Sequence, residues 1–311
     1  MLATLRLIRL PNLLIMALTQ FLVRHSLILN YDIPHALTDF QFAQLVLATI
    51  CIAGAGYVIN DYFDVKVDLI NHAEDVVVGK SISRTHAITL HLVLTSIGIG
   101  LGVYLAYAVG MLSLSIIQIA SAGLLWFYST TYKRQFLIGN LVVAFLTAMV
   151  VLSVGIFEIV PALNEEGFQN MKNIFFIITG YATFAFLGTW IREIIKDMIQ
   201  MKGDTALGYK TLAITWGDRK AKSFALVLIL VLLILILYFT YAILAEYPYH
   251  LVYVTLTVIL PTIYLLYQVS VAKVKKDYLR ANTLMKVVLL FGALSMLAFQ
   301  LITMWDYAAT A

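Results

Sequence analysis

Asn60, Asp61, Asp64 and Asp68 stand in the stretch NDYFDVKVD, directly after an apolar run from Phe42 to Ile59. Continued as a helix at about 100° per residue, the stretch puts all four side chains within one quadrant. Carboxylates at a helix C-terminal end oppose the helix dipole, and like charges four residues apart repel by a few tenths of a kcal/mol. A helix tolerates such a face when a cation arrives to occupy it. A second set lies in REIIKDMIQMKGD, where a continuing helix brings Glu193, Asp197, Gln200 and Asp204 within about 60° of one another. The basic Arg192, Lys196 and Lys202 are expected to project elsewhere. No His or Cys accompanies either set, which argues against zinc. Mg²⁺ takes one or two carboxylates and shares its other positions with water and substrate phosphates. Two such faces, with basic residues nearby, read as a site for Mg²⁺ and a diphosphate.

These acids sit in a chain that is 62% hydrophobic and only 12% charged over 311 residues. Soluble domains carry about a quarter charged residues, so the chain reads as an all-α integral membrane protein forming a single polytopic domain, residues 1–311. Spans of about 20 apolar residues are expected at Leu10–Leu29, Phe42–Ile59, Ala87–Val109, Met111–Ser129, Leu141–Val160, Ile174–Trp190, Ser223–Leu244, Leu251–Val271 and Val287–Met304. The first resembles a signal segment but lacks a clear cleavage site and is read as a transmembrane helix.

Nine spans place all but two of the 21 Lys and Arg residues on one side, the exceptions being Arg24 and Lys172. The positive-inside rule makes that side, and the N-terminus, cytoplasmic. The chain is then a multi-pass protein of the cell membrane, its helices around a central cavity and its acidic site facing the cytoplasm. The net charge of +4 is accounted for by topology and gives no reason to expect a nucleic-acid partner. The single cysteine, Cys51, excludes an internal disulfide and a cysteine metal framework.

The NDxxDxxxD pattern of Asn60 to Asp68 resembles the first aspartate-rich motif of the UbiA-type intramembrane prenyltransferases. RLPN at Arg9–Asn12, YSTTYKRQFLIGN at Tyr128–Asn140 and the Gly208-Tyr209-Lys210-Thr211 stretch resemble the same family, over residues 5 to 220. WIREIIKDMIQMKGD looks like the digeranylgeranylglyceryl phosphate synthase branch. The family's second motif usually reads DxxxD or DxxDxxxD; here Asp197, Gln200 and Asp204 hold those positions, so the middle acid is an amide.

The resemblance implies a nine-helix fold and Mg²⁺-dependent transfer of a polyprenyl group from its diphosphate. The donor would be a chain such as geranylgeranyl diphosphate, and the acceptor a geranylgeranylglycerol phosphate-type ether. Aromatic acceptors, as in quinone-precursor synthesis, are the alternative. It implies catalytic roles for Asp64, Asp68, Asp197 and Asp204, with Asn60, Asp61 and Gln200 completing the metal-binding set. Lys133, Arg134, Lys80, Lys210 and Asn12 are the expected diphosphate contacts. The rival class is a membrane cation transporter or channel, which predicts acids near the bilayer middle on several helices.

Overall fold

The computed structural model describes residues 2–31, 33–71, 73–163, 168–244 and 248–310. Among them, nine helices are long and apolar enough to cross a membrane. They are α1 (Leu10–Tyr31), α2 (Asp39–Asn71), α3 (Arg84–Ala108), α4 (Leu112–Thr130), α5 (Ile138–Ala162), α6 (Phe168–Ala206), α7 (Asp218–Ala242), α8 (Pro248–Val271) and α9 (Lys275–Ile302). Each coincides with one of the nine expected spans. The described residues hold no strand, only an isolated bridge between Val78 and Ile82 in the loop after α2. The chain is thus all-helical and reads as a multi-pass membrane protein.

Three helices, α2, α6 and α9, overrun their expected spans by about three turns or more, and the first two carry the acidic sets on their overrunning ends. The 33 residues of α2 reach about 50 Å at 1.5 Å per residue, against a hydrocarbon core of roughly 30 Å. The helix does not stop at Ile59, so Asn60 to Asp68 extend its C-terminal turns. Its start is fixed by a capping box. Gln41 N–H donates to Thr38 Oγ1 at 3.3 Å, and Thr38 N–H donates to Gln41 Oε1 at 2.9 Å. The Asp39 carboxylate favours that end of the dipole. The 39-residue α6 likewise runs on through Gly203, so Asp204 belongs to the helix that carries Glu193 and Asp197.

The overrunning ends of α2 and α6 are joined. Asn71, the last residue of α2, accepts from the Gly203 N–H at 3.1 Å, and its amide nitrogen approaches the Gln200 carbonyl at 3.5 Å. A Cβ at Gly203 would lie 2.4 Å from the Asn71 amide nitrogen, so only glycine admits this approach. The mid-helix glycine, costly by roughly 1 kcal/mol in propensity, is explained by the clamp it permits. Three groups of buried apolar residues pack the bundle. One centres on α6 to α9, one on α1, α5 and α6, and a smaller one holds the segment before α1 and the loop after α2 against α2.

Candidate active site

The RLPN stretch docks on the acidic face of α2. Arg9 adopts a left-handed backbone, φ 53°, as the chain turns into α1. From there its guanidinium meets Asp61 at 2.8 Å and lies over the Tyr57 ring, 4.9 Å from the centroid. Asn12, one turn on, donates to the Tyr57 hydroxyl at 3.4 Å. Among the described residues, the other non-glycine with positive φ is Leu137, at 60°, in the loop between α4 and α5. Such conformations cost of order 1–3 kcal/mol and collect at functional sites; Arg9 itself pairs with the acidic face, and Leu137 follows by four residues the Lys133 that does so too.

The loop holding Leu137 also supplies Lys133. Its ammonium donates to Asp64 Oδ1 and to Asn60 Oδ1, the latter at 3.3 Å. Burial pushes this lysine below its ordinary pKa, and the Asp64 carboxylate opposes the shift. Arg134 lies over the Tyr209 ring at 5.3 Å, and its carbonyl accepts from Lys210 N–H at 2.9 Å. The KRQ and GYK stretches, far apart in sequence, are thereby held side by side. The second acidic face is anchored by Asn140, which donates to Asp197 Oδ2 at 3.0 Å.

The carboxylates of Asp68 and Asp204 have no hydrogen bond or ion pair with a described residue. Asp204 is buried and lies within electrostatic reach of Asp64, as Asp68 does of both Asp61 and Asp64. Among the described residues, no three His, Cys, Asp or Glu side chains converge into a closed metal cage. That pattern fits Mg²⁺, which needs only one or two carboxylates when phosphates complete its shell. The donors are all oxygen, and two of them stand unpartnered.

The remaining expected residues divide. Gln200 is half-buried and contributes its backbone carbonyl to the clamp with Asn71. Lys210 is exposed, its side chain without a described partner, beside the buried Thr211. Lys80 donates to the Ala73 carbonyl at 2.7 Å, closing its own loop rather than joining the others.

Below the acids lies a cavity of about 330 Å³ bounded by α1, α2, α4, α5, α6 and α9. Arg9, Asn12, Tyr57, Asn60 and Tyr128 line one part of it. Arg192, Glu193, Lys196 and Lys286 line another. The expectation that Arg192 and Lys196 project away is therefore corrected. Glu193 is buried, and Lys196 reaches its carboxylate at 2.8 Å, with Arg192 at 3.9 Å. Long basic side chains bury their stems and steer their heads toward the nearest buried anion, which a Cα-based wheel does not register. Lys286 went unnoticed in sequence because it counted only toward topology; its spacing carries no motif. Asn71 and Asn140 were equally silent, since their partners are distant in the chain. Away from the rim the cavity wall is mostly apolar, including Ile52, Leu146, Leu289 and Met296, with Gln118, Thr147 and Ser153 among them.

Comparison with known proteins agrees with this geometry. The model of the UbiA prenyltransferase family matches residues 21–290. The digeranylgeranylglyceryl phosphate synthase of Methanothermobacter thermautotrophicus is 34% identical over 194 residues, 60% of this chain and 62% of that protein. The synthase of the same name from Methanococcus maripaludis is 30% identical over 223 residues, 71% of each chain. The chain thus spans about three fifths of the length of the first of these relatives. Among solved structures, one concerning digeranylgeranylglyceryl phosphate synthase in membranes superposes with a TM-score of 0.65 at 22% identity, covering 94% of this chain and 97% of the other. A UbiA homologue from Archaeoglobus fulgidus bound to GPP and Mg²⁺ superposes at 0.56 with 13% identity, covering 94% and 99%. With the helix arrangement and the matched motifs, these findings make the chain a member of the UbiA prenyltransferase family.

Proposed function

We propose that this protein is an intramembrane prenyltransferase. It moves a polyprenyl group, such as geranylgeranyl, from its diphosphate to a phosphate-bearing glycerol ether. One observation carries the reading: two oxygen-rich faces, held together by the Asn71–Gly203 clamp, stand over an apolar cavity with a cationic rim. The relatives named as digeranylgeranylglyceryl phosphate synthases and the GPP- and Mg²⁺-bound homologue support the same chemistry.

Each acidic face would hold Mg²⁺ through one or two carboxylates, Asp64 and Asp68 on one and Asp204 on the other, with Asn60, Asp197 and Gln200 as further oxygen donors and Asp61 fixed by Arg9. When bound, Mg²⁺ supplies positive charge for the diphosphate as the allylic C–O bond breaks. Lys133 and Arg134 bind the diphosphate and stabilise the same developing charge from preset positions. Lys133 already bridges Asn60 and Asp64, so diphosphate binding would share a cation that is in place. Lys210 stands next to this pair; Asn12 orients Tyr57. The apolar lining takes the prenyl chain and excludes water, which would otherwise intercept the allylic cation. Tyr57 and Tyr128 offer aromatic faces to that cation.

Arg192, Lys196 and Lys286 face the acceptor. Three cations against the single carboxylate of Glu193 leave an excess matching a phosphate dianion. This favours a glycerol-phosphate ether over an aromatic acid. The N-terminus and the acidic site lie on the cytoplasmic side, following the distribution of Lys and Arg.

The test is to incubate membranes holding the protein with labelled geranylgeranyl diphosphate and a panel of glycerol-phosphate ethers and aromatic acids. Products are identified by mass, with and without excess chelator. An ether-phosphate product that disappears with chelator is expected. Undiminished diphosphate release in excess chelator overturns the metal assignment, and a product formed only with aromatic acids overturns the acceptor.

A further inference from the structure

The main cavity ends against a wall that it shares with a second, smaller one. This second cavity, of about 110 Å³, lies between α6, α7, α8 and α9. Tyr181 and Phe184 line both. The wall is pinned at two points. The Tyr181 and Ser295 hydroxyls are hydrogen-bonded at 3.0 Å, and Ser295 Oγ in turn donates to the Gly292 carbonyl at 2.7 Å. The edge of the Phe184 ring packs against Gly292, where a Cβ would come within 2.3 Å of it. Beyond the wall the lining is mostly apolar: Leu232, Ile236, Phe239 and Phe299, with His250 among them.

The wall sits at a defined depth. Tyr181 precedes Glu193 by twelve residues on one continuous helix, about 18 Å at 1.5 Å per residue. A prenyl chain whose diphosphate end lies at the acids would run down the apolar lining and meet Tyr181 with its far end.

We infer that Tyr181, held by Ser295 and backed by Phe184, is the floor that limits the length of prenyl chain the protein accepts, and that the second cavity is the space a longer chain would enter if the floor were removed. This rests on the prenyltransferase reading above and adds a specificity determinant to it. Interiors are packed closely enough that a side chain of this size is a barrier rather than a cushion.

The experiment offers prenyl diphosphates from C10 to C30 to membranes holding wild type, Tyr181→Ala and Tyr181→Phe, and reads diphosphate release and product mass. For Tyr181→Ala, turnover of C25 and C30 relative to C20 should rise at least fivefold. Tyr181→Phe keeps the ring and should keep the wild-type profile. An unchanged profile in a Tyr181→Ala protein that still turns over C20 overturns the inference, as does a change in preference for the acceptor's chain length alone. A wild-type photo-crosslinking arm covers the case in which Tyr181→Ala does not fold, using geranylgeranyl diphosphate with a diazirine at its terminal carbon. Label at Tyr181 or Phe184 supports the floor; label confined to lipid-facing residues overturns it. Wild type releasing no diphosphate from any chain overturns the prenyltransferase reading itself, a failure distinct from an unchanged length profile.

Discussion

Charged groups are buried at both ends of this bundle, and the two ends treat them differently. At one end, Arg24 and Glu158 are 1% and 0% exposed and meet at 2.7 Å. Arg24 also donates to Asp39 at 2.8 Å and to the Leu37 carbonyl at 2.9 Å, and lies over the Phe42 ring at 4.7 Å. Glu158 accepts in addition from Leu37 N–H at 3.0 Å. At the other end, Asp68 and Asp204 have no partner among the described residues, and carboxylates outnumber the cations that reach them. The first arrangement is closed: Arg24 serves both the buried Glu158 and the exposed Asp39, so every charge in it has an ion-pair partner. The second is open: Asp204 is buried and Asp68 half-buried, and unpaired carboxylates withdrawn from water are costly unless something binds there. Within a membrane protein, completeness of pairing separates a charge that holds the fold from a charge that awaits a ligand.

The sharpest way to break this contrast is to remove one acid from each end. Asp64→Asn should lower prenyl transfer by about a hundredfold or more, as loss of a preset electrostatic group does, with little change in thermal unfolding in detergent. Glu158→Ala should do the reverse. It leaves the buried Arg24 with only the exposed Asp39 as counter-charge, costs up to about 3 kcal/mol of stability, and lowers the amount of folded protein more than the turnover of what remains. Thermal unfolding monitored beside diphosphate release separates the two; matching profiles for both variants would erase the distinction. A smaller effect is expected at the clamp. Asn71→Ala removes a hydrogen bond worth about 1 kcal/mol and lets the acidic ends of α2 and α6 drift. Loss of turnover should therefore exceed loss of stability, and the Mg²⁺ concentration needed for half-activity should rise. The least effect is expected at Lys80, whose ammonium serves the Ala73 carbonyl. Lys80→Ala should leave the KM for prenyl diphosphate within about twofold, as a surface change does. A large increase would return Lys80 to the diphosphate site.

Much of this was legible in the sequence because two signals are local and strong. Apolar length and the one-sided distribution of Lys and Arg fix nine spans, and Arg24, one of the two exceptions to that distribution, is the arginine neutralised by Glu158 and Asp39. The acidic faces were legible because α2 and α6 run without a break, so a rotation of about 100° per residue holds across the whole motif. What escaped was the pairing between segments. Asn140 with Asp197, Asn71 with Gly203 and Lys133 with Asp64 join residues that no periodicity connects. Arg192 and Lys196 were misjudged because a wheel locates a Cα, whereas the charge of a long side chain settles where a buried carboxylate draws it. Lys80 was grouped with the diphosphate contacts by sign and side of the membrane, features it shares with most of the basic residues in the chain.

The Asn71–Gly203 clamp also has a bearing on how the protein is made. The two partners are 132 residues apart, and three helices lie between the two that carry them. During synthesis Asp61 can meet Arg9 as soon as the second helix is in place, whereas Asp64 must wait for Lys133, and Asn71 for the far end of the sixth helix. The acidic face is exposed as an incomplete surface through the insertion of most of the bundle. A chain stalled before residue 203 would hold the first motif but none of the geometry that brings the second one to it. Pairing of the two acidic faces is therefore a late event in biogenesis, waiting on the sixth helix, and the cavity beneath them is complete only when the ninth adds Lys286, Leu289 and Met296.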